Sequence, residues 1–135
     1  MAHQGLITRA SDFDPTETMN RLEAAVQRRG ATILARIDHA AAAASVHLPL
    51  RPTAVLIFGN PKTGTPLMQV EQTTGIDLPL KALVWQDADR KTQLSYNAPQ
   101  WIAERHAVEG AEQTVAAMRE TLVAIVDEAT KKEPT

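Results

Sequence analysis

Apolar residues recur along this chain at two spacings, and the switches between them mark its elements. Gly5 to Ala10, around Leu6, Ile7 and Thr8, reads as a short strand. A helix start follows. Asp14 can cap, Pro15 suits the first helical position, and Glu17 can reach back from the third. Met19, Leu22 and Val26 then fall on one face at steps of three and four, with Ala25 beside them. Arg28 and Arg29 before Gly30 suit the carbonyl end, so the pattern predicts a helix over 15–29.

Ala31 to Ile37 alternates with a strand period, Ile33, Ala35 and Ile37 on one face. Asp38 can cap the alanine run Ala40 to Ala44, which predicts a short helix packed tightly on the sheet. Leu48 to Pro52 is extended, because each proline disfavours helix at the residue before it. Thr53 to Phe58 is apolar on both faces, the pattern of an inner strand covered by helices. Thr65 and Pro66 repeat the cap-then-proline device, and Leu67, Met68 and Val70 extend a short helix from there. Lys81 to Gln86 and Lys91 to Tyr96 flank the polar turn Asp87-Ala88-Asp89-Arg90, a hairpin. Asn97, with Gln100 three residues on, predicts a further cap. The helix through Trp101, Ile102 and Arg105 breaks near Gly110. A last helix turns Val115, Met118, Leu122, Ile125 and Val126 inward.

The order is β-α-β-(short α)-β-α-β-β-α. A hairpin forces antiparallel pairing, so the expected class is α+β: two layers, a mostly antiparallel sheet with helices on one face. The whole of 1–135 is expected to form one domain with frayed ends at about 1–4 and 131–135.

Composition removes several function classes. The net charge is -2 and no basic stripe stands out, so no nucleic-acid partner is expected. There is no cysteine, which excludes disulfides, thiolate catalysis and cysteine-held metals. No apolar run approaches the roughly 18 residues of a membrane span. No secretory leader is evident at Met1–Gly5. The expectation is a cytoplasmic protein with no membrane partner, no resident cofactor and no metal.

Candidate chemistry centres on the loop that ends the apolar strand. Gly59 and Gly64 have the separation of a phosphate loop, after a strand and before a helix. Thr65 stands where that motif needs lysine, and Pro66 where it needs a hydroxyl, so nucleotide hydrolysis is not expected. Free N–H groups, Asn60, Lys62 and Thr63 suit a weaker anionic or polar ligand. The same residues also make an ordinary strand-to-helix turn. Asp38-His39 joins a carboxylate to an imidazole, yet chain neighbours usually point apart and Asp38 already serves as a cap. His39 and His47 fit no metal-ligand spacing, and His106 is expected on an exposed helix. Ser11, Ser45 and Ser95 lack the glycines of a nucleophile elbow. Trp85 is expected in the core or at a dimer contact.

Six blocks carry a resemblance: Arg36 to Ala41, Leu50 to Thr53, Phe58 to Lys62, Gly64 to Met68, Asp77 to Leu80 and Ser95 to Asn97. In this order they resemble the small prokaryotic domain of unknown function numbered 302. The likeness runs from residue 6 to about 106. It implies a compact α+β fold, a homodimer, and no particular activity. It gathers the candidate ligand residues at Asp38, His39, Arg51, Asn60, Lys62, Thr63 and Thr65. The reading that follows is a dimeric small-ligand or anion-binding module. An enzyme with His39 as general base and an interaction domain without a ligand are the alternatives. The combined site requires His39 and Asn60 to lie on the same rim of the sheet.

Overall fold

The computed structural model describes residues 3–133. The elements are β1 (Leu6–Ala10), α1 (Pro15–Arg28), β2 (Thr32–Asp38), α2 (His39–Ser45), β3 (Thr53–Gly59) and α3 (Pro61–Val70). A 3₁₀ turn (Gln72–Ile76) leads to β4 (Leu80–Gln86), β5 (Thr92–Asn97), α4 (Pro99–Arg105) and α5 (Glu112–Thr130). One five-stranded sheet has the order β1-β5-β4-β3-β2, and every pairing is antiparallel. The α+β class with an antiparallel sheet is as expected.

Side chains alternate across the sheet, so one face gathers Leu56, Phe58, Ala82, Val84, Leu94 and Tyr96. The stripe Met19, Leu22, Ala25 and Val26 of α1 packs there with Leu122, Ile125, Val126 and Ala129 of α5. Leu67, Ala103, Val115 and Met118 form a smaller cluster beside it, joining α3, α4 and α5. The opposite face carries Ala35 and Ile37, Val55 and Ile57, and Leu83 and Trp85. Thus β3 is an inner strand, but helices α1 and α5 cover only one of its faces. Trp85 lies half-buried on the other and donates its indole N–H to Ser95 Oγ at 2.9 Å.

Three local expectations are corrected. The alanine helix is not packed tightly on the sheet, since no residue of α2 is buried. It follows β2, an edge strand, and its methyl groups offer little surface to bury. Helix α3 starts at Pro61, not Pro66: Asn60-Pro61 forms the cap-then-proline device five residues earlier, and Pro66 sits inside the helix. Pro66 there forfeits one ladder hydrogen bond. Asn97 ends β5 and caps nothing; α4 begins after Ala98 without a side-chain cap.

The end of α5 is fastened to the loop after β1. Asp12 N–H donates to the Thr130 carbonyl at 2.7 Å, and Lys132 N–H donates to Asp12 Oδ2 at 2.9 Å. Residues 1, 2, 134 and 135, where fraying was also expected, lie outside the described residues. Gly5 has φ +73°, and a Cβ there would meet Trp101 Cγ at 2.1 Å. Only glycine suits both the backbone and the ring packed over it.

Asp14 caps α1 as expected: its Oδ1 accepts from the Glu17 N–H at 2.8 Å. The Glu17 carboxylate turns away to Arg21 at 2.9 Å, so the reciprocal half of the capping box is absent. Asp14→Ala removes the acceptor and should lower stability by about 1 kcal/mol. A urea midpoint equal to that of the wild type would show that the cap does not matter.

Candidate functional site

The antiparallel pairing of β2 with β3 decides the geometry. Asp38 pairs with Ala54 at the start of β3, while Thr32 pairs with Gly59 at its end. His39 and Asn60 therefore leave the sheet at opposite rims. Six residue steps lead from Ala54 to Asn60, about 20 Å. The combined site fails on this register.

On the first rim, Asp38 Oδ1 accepts from the Ala41 N–H at 2.9 Å, the capping role expected of it. His39 is exposed. Arg51 donates from Nε to the Gln86 carbonyl at 3.0 Å, which fastens the loop before β3 to the end of β4. Among the described residues no three histidine or carboxylate side chains gather as a metal site.

The second rim holds the main cavity, of about 350 Å³. It opens where the start of β2, the end of β3, the start of α3 and the start of β4 meet. Asn60, Thr63 and Thr65 line it together; Lys62 does not. The rest of the wall is mainly apolar, with Leu34, Met68, Leu78, Pro79, Leu80 and Met118. A register shift in β2 between Ile33 and Ala35 leaves Leu34 as an extra residue. Such a bulge re-aims a side chain, and here it sets Leu34, 57% exposed, on the rim of the cavity.

The N–H groups that the loop was expected to offer an anion are used internally. Lys62 N–H donates to Asn60 Oδ1 at 3.0 Å. Thr63 and Gly64 N–H both donate to the Asn60 carbonyl at 3.0 Å, and the Thr63 hydroxyl donates to the same oxygen at 3.1 Å. Among the described residues, the Asn60 side-chain NH₂ and the Thr32 and Thr65 hydroxyls have no protein partner. The cavity can therefore accept an apolar body and fix it with a few neutral hydrogen bonds.

A second cluster lies elsewhere and was missed in the sequence. His106, expected on an exposed helix, is nearly buried at the end of α4. Its Nε2 lies 2.5 Å from Asp77 Oδ2, and its Nδ1 lies 2.9 Å from the Thr73 hydroxyl. Arg105 donates from Nη1 to both oxygens of Asp77 at 2.9 Å. The hydroxyl, imidazole and carboxylate stand in the order of a proton relay. Arg105 also holds Asp77, however, and Thr73 lines neither the main cavity nor the smaller one beside it. The arrangement pins the 3₁₀ turn to α4. The positive φ of Ala107 (52°) turns the chain out of α4 and leaves His106 facing back toward the turn. Such a turn at alanine gives almost no sequence signal.

Two carboxylates elsewhere in the fold are held ionised. Asp87 lies below the ordinary carboxylate range, chiefly because the Lys91 N–H donates to it, with help from the Gln93 amide. Burial pushes Asp127 up, but the hydrogen bond and charge of Arg9, together with Lys131, outweigh it and leave the group lowered. Both contributions are present at neutral pH and are lost as acid titrates each carboxylate through its lowered folded value.

Fold and rim together define an α+β domain with helices on one sheet face and an apolar cavity at the end of an inner strand. The chain belongs to the family of domain of unknown function DUF302, whose model matches residues 7–129. It is similar in fold to a crystal structure described as an uncharacterized conserved protein DUF302 from Bacillus stearothermophilus. That likeness has a TM-score of 0.84 at 20% identity and covers 94% of this chain and 99% of that one. Over 104 residues it is 43% identical to proteins named fluoride-specific ion channel FluC 1 from Brucella suis biovar 1 (strain 1330) and Brucella abortus biovar 1 (strain 9-941). The match covers 77% of this chain and 41% and 38% of those proteins, so the chain spans about two fifths of their length. No helix among the described residues is long and apolar enough to cross a membrane.

Asp77 should prove structural in its effect. Asp77→Ala strands a nearly buried imidazole and frees Arg105, and should destabilise the fold by about 1–3 kcal/mol. Unfolding at the wild-type urea concentration would contradict a structural role for the cluster.

Proposed function

We propose that this domain is a small-ligand-binding module that works as a homodimer. The cavity at the β3–α3 junction carries the reading. Its volume of about 350 Å³ is at the lower end of small-molecule sites. Its apolar wall favours a compact apolar body, and Asn60, Thr32 and Thr65 supply the few groups that orient it. A nuclear magnetic resonance titration with a library of small fragments tests the proposal. Binders should shift the amides of Thr32, Asn60, Thr63 and Thr65. Leu34→Trp, at an exposed rim position, should abolish those shifts while changing stability by no more than about 0.5 kcal/mol. Shifts that persist in this variant, or that map to the His39 rim, would place binding elsewhere.

The dimer reading is supported by the uncovered sheet face. Val55, Ile57, Leu83 and Trp85 form a half-buried apolar band, with Ile37 41% exposed at its edge. A second copy placed face to face would bury the band, as in a sheet sandwich. Light scattering should give twice the 14.7 kDa of the chain. Ile57→Lys combined with Ile37→Lys should give the single-chain mass with the fold retained. A double variant that keeps the wild-type mass would remove this face as the interface.

The 43% identity with part of the Brucella proteins favours a second reading, in which the domain regulates an anion channel. Adding the purified domain to vesicles containing a FluC channel should then change the fluoride efflux rate. An unchanged rate would remove this reading.

A further inference from the structure

A second cavity of about 90 Å³ lies beside the main one, and Gly59, Asn60, Thr63, Leu80 and Met118 line both. Taken together as one groove, they have unlike ends. The large end is lined by Leu34, Met68, Leu78 and Pro79, with no charged residue in its wall. The small end reaches Arg29 and Thr121 at the surface. Among the residues that line the groove, Arg29 alone carries charge.

That charge is only partly neutralised. Arg29 Nη2 donates to Glu128 Oε1 at 2.7 Å, and Arg28 Nη1 stands 3.9 Å from Glu128 Oε2. Two guanidinium groups thus share one carboxylate, and the cluster is positive by one. Arg29 uses one N–H in this pair, and a guanidinium has five. A planar fork of donors at one end of an apolar groove matches a carboxylate head with an apolar tail. No aromatic ring lines the large end. Met68 and Met118 there are flexible and fit a chain of variable shape.

We propose that the groove holds an aliphatic monocarboxylic acid, its carboxylate on Arg29 beside the Thr121 hydroxyl and its tail between Leu34, Met68 and Met118. The inference rests on the ligand-binding reading above and names its ligand class. It moves the anionic contact away from the Asn60–Thr65 loop, whose N–H groups are already occupied.

Calorimetric titration with butanoate, hexanoate, octanoate and neutral 1-octanol tests it, each probe kept below its micelle concentration. Affinity should rise with chain length, by about fourfold for each methylene that enters the apolar end. Octanoate should bind at least about tenfold more tightly than 1-octanol, as expected for a charge-assisted hydrogen bond. Arg29→Gln should erase that difference and leave octanol binding unchanged. Glu128→Gln, which removes the countercharge beside Arg29, should tighten octanoate alone. Equal binding of acid and alcohol, or an acid preference that survives Arg29→Gln, overturns the carboxylate assignment and leaves the ligand-binding reading standing. Binding of indole or another neutral fragment in the cavity, with no binding of any acid, likewise overturns the assignment alone. Failure of every probe, charged or neutral, overturns both.

Discussion

Burial of the α1 and α5 stripes against one face of the antiparallel sheet is the interaction on which the rest depends. Met19, Leu22 and Val26 are apolar at helical spacing, and Leu56, Phe58, Val84 and Leu94 are apolar at strand spacing on the facing surface. Each set is insoluble alone and complete only with the other. Once they meet, the sheet can carry helices on that face, α5 must span the sheet, and Met118 is brought to the end of β3. The cavity is what remains at the rim, where α3 and the start of β4 do not close over the end of that core.

The same arrangement explains why 20% identity preserves the fold of the Bacillus stearothermophilus protein. A two-layer core asks for apolar character at the right periods and tolerates many side chains that supply it. The Brucella proteins show that such a unit also occurs within chains more than twice as long as the aligned stretch. A core contained within one sheet and two principal helices makes that possible.

Much of the fold was legible because it is written in short-range chemistry. Asp14-Pro15 starts α1 through one acceptor and one fixed backbone angle. The hairpin around Asp87 follows from a polar turn between two alternating runs. That β3 runs into a helix start also followed from local pattern, though the cavity there did not. The pairing of β2 with β3 did not, because it is a relation between segments that either direction would satisfy locally. It is this pairing that separates Asp38, His39 and Arg51 from Asn60, Thr63 and Thr65. The helix start was misplaced because two cap-then-proline signals occur five residues apart. The earlier one won because Asn60 places its side chain and carbonyl oxygens to accept three successive N–H groups. His106 and Asp77 are 29 residues apart in sequence, and no spacing rule joins them.

The bulge at Leu34 lies on an edge strand, where only one neighbour constrains the backbone. A change in length there would be absorbed without moving the register of the pairings that run on from β3 to β1. The width of the cavity mouth and the integrity of the core are thus set by separate parts of the chain. Descendants of this domain can retune what enters the groove by altering a residue or two around position 34, while the helices and the sheet beneath them stay under unchanged selection.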